Sequence, residues 1–295
     1  MKLTLSPWKS VIFSSLLLFS SASCKKNEEV EYTPVTAKNL VIVTDNNPGS
    51  YIMVKILGAV RSSFPDIQIT YLQSKQFDVF DGSFLLNSAI QSFPTGTVIA
   101  GIVEPGAGSK RFVFDAGSKR VFSPDNTLST RILHDHPGSA CYYVENPAVL
   151  GGAQPQDLSF EEFYARGICS LISGVPAAEF GPLCGSPLTF PVQDPLMKGD
   201  SIIGEILFTD NFGNCNSNIP GSLMTQIPVG TMLTLKSGNT QLNLELGVTY
   251  ASVPVGETVC FINSSKLLEL AVNYGDFSGK YHLGAGNRIL LYRSK

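Results

Sequence analysis

The sequence of 295 residues has little charge and no surplus of basic residues. Asp and Glu total 24 against 21 Lys and Arg, and the formal net charge is −3. Domains that bind nucleic acid usually carry clustered Lys and Arg, so this composition argues against a nucleic-acid partner. The hydrophobic share of 43% is ordinary for a globular protein and excludes a disordered chain.

Histidine is also scarce, with three residues in the chain: His134, His136 and His282. His134 and His136 have the i, i+2 spacing that could hold a metal on a strand, but they precede Pro137-Gly138 in a predicted turn and lack an evident third ligand. We therefore predict no metal site.

None of the six cysteines lies in a CxxC motif. The five that follow Cys24 are odd in number, so at least one stays unpaired. We expect mostly buried thiols with at most one or two disulfides, whose partners the sequence leaves open.

The N-terminus has the pattern of an export signal. Lys2 and Lys9 precede a short apolar run over residues 11–19, and small residues lead to Cys24. This pattern predicts a signal peptide over residues 1–23. Cys24 then resembles the lipidation site of a bacterial lipoprotein, which would anchor an exported protein to a membrane.

A polar tether over residues 24–38 follows in this interpretation, because it has too little apolar content to pack. The alternative is the cleaved signal of a soluble secreted protein. The membrane face that the anchor would reach stays open.

Strands and helices alternate in the first part of the chain. Apolar patterning predicts strands and helices in the order strand, helix, strand, helix, strand over residues 39–44, 51–62, 67–72, 79–93 and 96–103. This order predicts an α/β domain over residues 39–195 with a mainly parallel sheet. Short strands separated by turns then predict a small all-β barrel or sandwich over residues 196–295.

Ligands of open α/β sheets lie beyond the carboxyl ends of the strands. Two candidate groups follow predicted strands in this way: Asp45, and a glycine-rich loop that runs from Glu104 to Arg111. Asp45 could equally be a turn-forming or helix-capping residue.

Several short motifs recur in an order and at separations that resemble one protein family. They are Thr44-Asp45, Gly96-Thr97-Val98, Glu104-Pro105-Gly106-Ala107-Gly108 with Arg111, Pro124-Asp125-Asn126, Glu179-Phe180-Gly181, Asp210-Asn211-Phe212-Gly213-Asn214 with Asn218, and Asn263-Ser264-Ser265 with residues 268–273. From about Leu40 onward the chain resembles the S-adenosylmethionine hydrolase, or hydroxide adenosyltransferase, family. Relatives of this family use a halide in place of water.

The resemblance implies a fold and an activity. It implies an α/β domain followed by a β domain, and cleavage of S-adenosylmethionine by water to adenosine and methionine without a cofactor. It also implies a homotrimer in which the ligand lies between the first domain of one subunit and the second domain of a neighbour.

The resemblance also implies roles for individual residues. Asp45 would bind the ribose hydroxyls and Phe77 would cover the sugar or the sulfonium. Asp210 would pair with the methionine ammonium, and Ser264 would hold the carboxylate. The further expected substrate-binding positions are Asn126, Phe212 stacked on adenine, and Asn214 at the adenine edge.

The catalytic positions depart from the family pattern. The family positions its water with Asp, Arg and His, and these places correspond here to Glu104, Arg111 and Ser159. Serine cannot take up a proton near neutral pH as imidazole does, and Phe160 stands where the family has glycine. The resemblance therefore predicts Glu104 and Arg111 as the catalytic pair. A catalytically degenerate protein that binds a nucleoside-like ligand at the cell surface is the alternative.

Overall fold

The computed structural model describes residues 36–103, 106 and 110–294. The predicted signal peptide, the lipidation site Cys24 and the catalytic candidate Glu104 lie outside the described residues. Those predictions stay predictions.

The described residues belong to one compact unit. The predicted division into residues 39–195 and 196–295 therefore stays a prediction, although two separate sheets lie on either side of it. In this described part of the chain, no helix is both long enough and apolar enough to cross a membrane.

The first sheet is mixed rather than mainly parallel. Within the described residues its six strands are β1 (Asn39–Thr44), β2 (Gln68–Gln73), β3 (Val98–Ile102), β4 (Arg111–Ala116), β5 (Lys119–Pro124) and β6 (Tyr142–Tyr143). Pairings of β1 with β2, β1 with β3, and β3 with β5 are parallel. Pairings of β4 with β5 and with β6 are antiparallel.

A tight hairpin causes this departure from the predicted sheet. Only Gly117 and Ser118 separate β4 from β5, and Gly117 has a φ of 59°. Parallel strands need a crossover of a dozen or more residues, whereas a two-residue turn with a left-handed glycine joins antiparallel strands. The prediction of a mainly parallel sheet is therefore wrong for this half of the sheet.

Helices cover both faces of the first sheet. They are α1 (Tyr51–Ser63), α2 (Val79–Ser92), α3 (Thr130–Asp135) and α4 (Phe160–Ile172). Leu40 and Ile42 of β1 pack in one core cluster with α1 and α4, whereas Val41 and Val43 pack in another with α2 and α3. The continuous apolar run of β1 follows from this burial on both faces. His134 and Asp135 end helix α3, so the predicted turn at this place is corrected to a helix.

The second sheet closes into a barrel. Its strands are β7 (Leu196–Lys198), β8 (Ser201–Thr209), β9 (Cys215–Pro220), β10 (Met232–Ser237), β11 (Thr240–Leu246), β12 (Thr258–Ile262), β13 (Leu267–Val272) and β14 (Arg288–Arg293). In the described residues β14 pairs with both β10 and β8, so seven strands form a closed barrel and β7 lies beside β8. The helix α5 (Phe277–Tyr281) precedes β14.

A buried ion pair joins the barrel to the first part of the chain. Arg131 of α3 donates from Nη1 to Oε1 of Glu205 in β8 over 2.8 Å, and the side chains are 6% and 4% exposed. Next to it, Phe84 of α2 stacks on Phe208 of β8 with ring centroids 5.0 Å apart. These contacts fix the position of the barrel against α2 and α3.

Candidate functional site

Asp45 lies directly after β1, at the carboxyl edge of the first sheet. Its Oδ2 accepts a hydrogen bond from the backbone N–H of Phe77 over 3.2 Å, and its Oδ1 accepts one from Nδ2 of Asn46 over 3.2 Å. The neighbouring helix α1 has Ser50 as its N-cap, so Asp45 does not cap that helix. Asp45 instead joins the end of β1 to the loop before α2.

Two aspartates at the start of α2 also stabilise the loop that carries Phe77. Asp78 caps α2 and accepts from the N–H groups of Phe80 and Asp81. Asp81 is 1% exposed and accepts from the N–H of Lys75 over 3.0 Å. Burial raises the pKa of the Asp81 carboxyl above its ordinary value.

Phe77 itself adopts a left-handed conformation with a φ of 57°, and its side chain is 74% exposed. A φ in this range is uncommon for a residue other than glycine, and it persists where the surroundings determine it. The hydrogen bond from the Phe77 N–H to Asp45 and the one from the Lys75 N–H to Asp81 supply that restraint.

A cavity of about 440 Å³ opens at Asn46, the residue after Asp45, and its volume lies in the usual range for small-molecule sites. Its walls are formed by Asn46, Ile52, Gly106, Arg111, Pro155, Leu158, Ser159, Phe160 and Phe163. The fold thus brings together the residue after Asp45, the catalytic candidate Arg111 and the serine at the family's histidine position.

Arg111 begins β4 and faces an aromatic wall. The centre of its guanidinium lies 5.6 Å from the ring centroid of Phe160, 5.5 Å from that of Phe163 and 5.6 Å from that of Tyr164. Cations within about 6 Å of a ring are attracted by its negative face. Burial raises the pKa of Tyr164 to about 12, and the charge of Arg111 opposes that shift. The wall therefore holds a permanent positive charge at the cavity.

Ser159 has a structural task at the start of α4. Its Oγ accepts from the N–H of Glu162 over 3.3 Å, and its own N–H donates to Oε2 of Glu162 over 3.1 Å. This reciprocal pair is a capping box. The bond from the Ser159 N–H is the largest cause of the lowered pKa of Glu162. A capping hydroxyl does not supply the proton acceptor that the resemblance led us to expect at this position.

Phe160 follows Ser159 and is half-buried, with its ring centroid 4.7 Å from that of Tyr164. Phe160 therefore lies on the wall of the cavity next to Arg111, and the cavity remains open beside it.

Asn126 has a local structural role as well. Its Nδ2 donates to the carbonyl of Val103 over 3.0 Å, and its Oδ1 accepts from the N–H of Leu128 over 3.3 Å. These bonds hold the end of β3 against the segment after β5.

The second group of predicted residues lies on the barrel, in the turn between β8 and β9. Oδ1 of Asp210 accepts from the N–H groups of Phe212 and Asn214 over 2.8 and 2.9 Å, and its Oδ2 accepts from Nδ2 of Asn214 over 2.9 Å. The turn presents Phe212 with 78% of its side chain exposed, whereas Asn214 is 6% exposed. The turn-forming role and the proposed ligand role of Asp210 are compatible, since a carboxylate has about four acceptor positions.

Ser264 is exposed in the turn between β12 and β13, and the preceding residue sets the shape of this turn. Oδ1 of Asn263 accepts from the N–H groups of Ser265 and Leu267 over 2.9 and 3.2 Å. Its Nδ2 donates to Oδ1 of Asn216 in β9 over 2.7 Å. The Ser264 turn is thereby attached to the strand that follows the Asp210 turn.

A buried carboxylate supports this attachment. Glu269 is 6% exposed, and it accepts from the hydroxyl of Tyr250 at Oε1 and from Nδ2 of Asn263 at Oε2. Burial, followed by the hydrogen bond to Glu269, raises the pKa of Tyr250.

Sequence reasoning did not assign roles to Asn216, Tyr250 and Glu269. Glu269 lies within an otherwise apolar strand, and a carboxylate buried there needs polar partners. This pattern could have identified Glu269 as part of a hydrogen-bonded network.

The predicted site residues therefore form two groups. Asp45, Phe77 and Arg111 lie around the carboxyl edge of the first sheet, whereas Asp210, Phe212, Asn214 and Ser264 lie on two turns of the barrel. The hydrogen bonds described for Asp210 and Asn263 stay within the barrel.

Family models match both parts of the chain. Residues 40–181 match the SAM hydroxide adenosyltransferase N-terminal domain, and residues 204–290 match the C-terminal domain of the same family. The chain belongs to the SAM hydroxide adenosyltransferase family. This match confirms the resemblance that the short motifs indicated.

The curated relatives of this family member include a hydrolase and fluorinases. The chain is 28% identical over 206 residues to an (R)-S-adenosyl-L-methionine hydrolase of Thermus thermophilus, covering 67% of this chain and 76% of the relative. It is 24% identical over 264 residues to a fluorinase of Nocardia brasiliensis, covering 78% of this chain and 88% of the relative.

Solved structures share the fold. A crystal structure of an uncharacterized conserved protein from Thermotoga maritima aligns with a TM-score of 0.75 at 22% identity, covering 86% of this chain and 100% of that one. A conserved hypothetical protein from Thermus thermophilus aligns with a TM-score of 0.67 at 24% identity, covering 86% and 99%. At these identities the similarity shows the fold alone.

Proposed function

We propose that this family member cleaves S-adenosylmethionine with water, giving adenosine and methionine. The observation that carries the proposal is the cavity at Asn46, with Arg111 on its wall. The hydrolase name of the Thermus thermophilus relative supports the choice of water as nucleophile.

In the proposed reaction, water attacks the ribose C5′ and the C5′–S bond breaks. The bonding electrons go to the sulfonium sulfur, which leaves as the neutral thioether of methionine, and the attacking water releases a proton to bulk solvent. A sulfonium is already a good leaving group, so the protein mainly has to orient the water. Asp45 would accept from the ribose hydroxyls. Arg111, together with Glu104, would orient the attacking oxygen.

The methionine and adenine ends of the substrate would contact the barrel turns. Asp210 would bind the ammonium, Ser264 the carboxylate, and Phe212 with Asn214 the adenine. The high exposure of Phe77 and Phe212 supports a site completed by a second copy of the chain, since large aromatic side chains at such exposure favour an interface. The proposal includes a homotrimer, which light scattering on the purified chain would test.

Turnover is the direct test of the proposed reaction. The full chain is incubated with S-adenosylmethionine, and adenosine and methionine are quantified by liquid chromatography. We expect equal amounts of both products. An Arg111→Gln variant should lose about 100-fold or more in kcat, because it removes a charge at the reacting atoms.

The matched control is Lys110→Gln. Lys110 is the neighbouring residue and is exposed, with an ion pair to Glu145 at 3.1 Å. Loss of its charge should leave kcat within about twofold, because exposed ion pairs contribute little. Equal rates for wild type, Arg111→Gln and Glu104→Ala would overturn the proposed reaction.

A second candidate function is ligand binding without catalysis. The observation that favours it is the capping role of Ser159, which leaves the family's histidine position without a proton acceptor. Calorimetry with S-adenosylmethionine, adenosine and methionine separates the two functions. Binding without turnover supports the second candidate, and failure to bind any of the three refutes both.

The proposed location is an exported lipoprotein with acyl chains on Cys24. Labelling of growing cells with an alkyne-tagged fatty acid should mark the wild-type chain and not a Cys24→Ser variant. Equal labelling of both would refute lipidation at this residue.

A further inference from the structure

Cys141 and Cys184 lie directly opposite each other on two antiparallel segments. Tyr142 and Leu183 form an antiparallel bridge, so the residues on either side of that bridge are also paired across the two segments. The N–H of Cys184 donates to the carbonyl of Cys141 over 2.6 Å, and the N–H of Tyr143 donates to the carbonyl of Pro182 over 2.9 Å. Cys141 and Cys184 therefore lie opposite each other across the two segments and are joined by one backbone hydrogen bond.

Residues paired in this way have side chains on the same face of the two segments and Cα atoms about 5.5 Å apart. Disulfides most often join cysteines whose Cα atoms are about 5.5 to 6 Å apart. Both thiols are free in the structure, and the Cα separation expected for residues opposite each other falls in the range that a disulfide spans.

The two segments are also pressed closely together. Gly181 has a φ of 151°, and a Cβ added at Gly181 would lie 2.5 Å from the carbonyl oxygen of Tyr143. Only glycine fits at such an approach. The residues that follow Gly181 continue beside the strand β6, as the backbone hydrogen bonds of Pro182 and Cys184 show.

Both cysteines are buried, and the Cys141 thiol donates to the carbonyl of Ser139 over 3.8 Å. Cys141 is 2% exposed and Cys184 is 6% exposed, and both belong to the core cluster between the first sheet and α2. Burial raises the pKa of the Cys141 thiol to about 12, and Cys184 and Asp125 add to that shift. A buried thiol of this kind is a poor nucleophile in the folded chain, so a bond between the two would form during folding.

We propose that Cys141 and Cys184 form a structural disulfide when the chain folds in the presence of a disulfide oxidant. One thiolate attacks the oxidant, which is a low-molecular-weight or protein disulfide, and forms a mixed disulfide. The other cysteine then displaces the oxidant's remaining sulfur. The pair loses two protons and two electrons, and the oxidant leaves as two thiols.

The bond would close a loop over residues 142–183 that contains the whole of α4. That loop carries Ser159, Phe160 and Phe163 on the wall of the cavity described above. The disulfide would thus restrain the unfolded chain over the segment that forms this wall. The proposal does not depend on the reaction that the cavity supports.

Mass spectrometry of the full chain tests the proposal. The chain is refolded with oxidised and reduced glutathione. It is then denatured in the presence of an alkylating reagent, which blocks the free thiols, and digested with a protease. We expect one linked peptide pair that joins Cys141 to Cys184, with the mass of two hydrogen atoms missing. Recovery of both cysteines fully alkylated, or linkage of either to Cys169, would overturn the proposal.

Thermal unfolding gives a second measurement. We expect the oxidised chain to have a Tm about 10 °C above that of the reduced chain. A Cys141→Ser/Cys184→Ser variant should lose this difference, and a Cys260→Ser variant should keep it, because Cys260 is buried in the barrel. If the double variant fails to fold, the wild-type peptide map decides alone. A difference that persists in a folded double variant would refute the assignment.

Discussion

The Glu269 carboxylate supports the strongest prediction about stability. Glu269 is 6% exposed and holds two partners, the Tyr250 hydroxyl and Nδ2 of Asn263. Each hydrogen bond to a charged group contributes about 1.5–3 kcal/mol. Tyr250 is still 39% exposed, so its hydroxyl regains water when the carboxylate is removed. We therefore expect Glu269→Ala to lower the free energy of unfolding by about 2 to 3 kcal/mol.

Glu269→Gln is the milder change. The glutamine side chain keeps one carbonyl acceptor and has nearly the same volume, so one of the two hydrogen bonds survives. We expect a loss of about 1 kcal/mol. The ordering of wild type, Gln and Ala variants distinguishes a hydrogen-bonding role from mere filling of space.

Urea unfolding followed by far-ultraviolet circular dichroism measures these differences, with equal m-values as the condition for comparison. Glu257→Ala is the control, because Glu257 is exposed in the same barrel and should change stability by less than about 0.5 kcal/mol. A Glu269→Ala variant as stable as the Glu257→Ala control would refute the reasoning. If the proposed function holds, KM for S-adenosylmethionine should rise in Glu269→Ala, since Asn263 shapes the Ser264 turn.

Three further predictions concern packing and charge. Arg131→Met should cost about 3 to 5 kcal/mol, because it leaves the buried Glu205 carboxylate without its cation. Gly167→Ala in α4 should cost about 1 to 3 kcal/mol, because the new Cβ would lie 2.3 Å from the Phe122 ring. For Asp81, burial raises the folded-state pKa, so its protonated form stabilises the fold at low pH. That contribution is lost as pH rises through the raised pKa, and Asp81→Asn should flatten the dependence of stability on pH in this range.

Each of these has its own control. Adding Glu205→Leu to Arg131→Met should recover stability, because it removes the stranded charge. Gly58→Ala in α1 should be neutral or stabilising, since a Cβ there meets nothing within 4 Å. Asp78→Asn keeps the helix cap and removes only a minor cause of the raised Asp81 pKa, so most of the pH dependence of stability should remain. If the Arg131→Met/Glu205→Leu variant does not recover stability, the explanation by a stranded charge is wrong. If wild type and Asp81→Asn have equal pH profiles of stability, the explanation by Asp81 titration is wrong.

Local patterns allowed much of the secondary structure to be predicted. The helices predicted over residues 51–62 and 79–93 are found at Tyr51–Ser63 and Val79–Ser92. In both, the period of the apolar residues is regular enough to identify the element. The strand β9 has no such pattern, because its Cys-Asn-Ser-Asn sequence consists of small and polar residues rather than branched apolar ones. Ser217 nevertheless faces the barrel interior, where its hydroxyl donates to the carbonyl of Leu268.

The sequence by itself determined the order of an α/β part and a β part, the family, and the turns that carry Asp45 and Asp210. These features depend on neighbours within a few residues, or on motifs at set separations. The tertiary structure alone decided the reversal of β4 and β5, the closure of the barrel by β14, the aromatic wall around Arg111 and the pairing of Cys141 with Cys184. Each of these requires contacts between residues distant in the chain, and apolar periodicity carries no information about which distant segments pair.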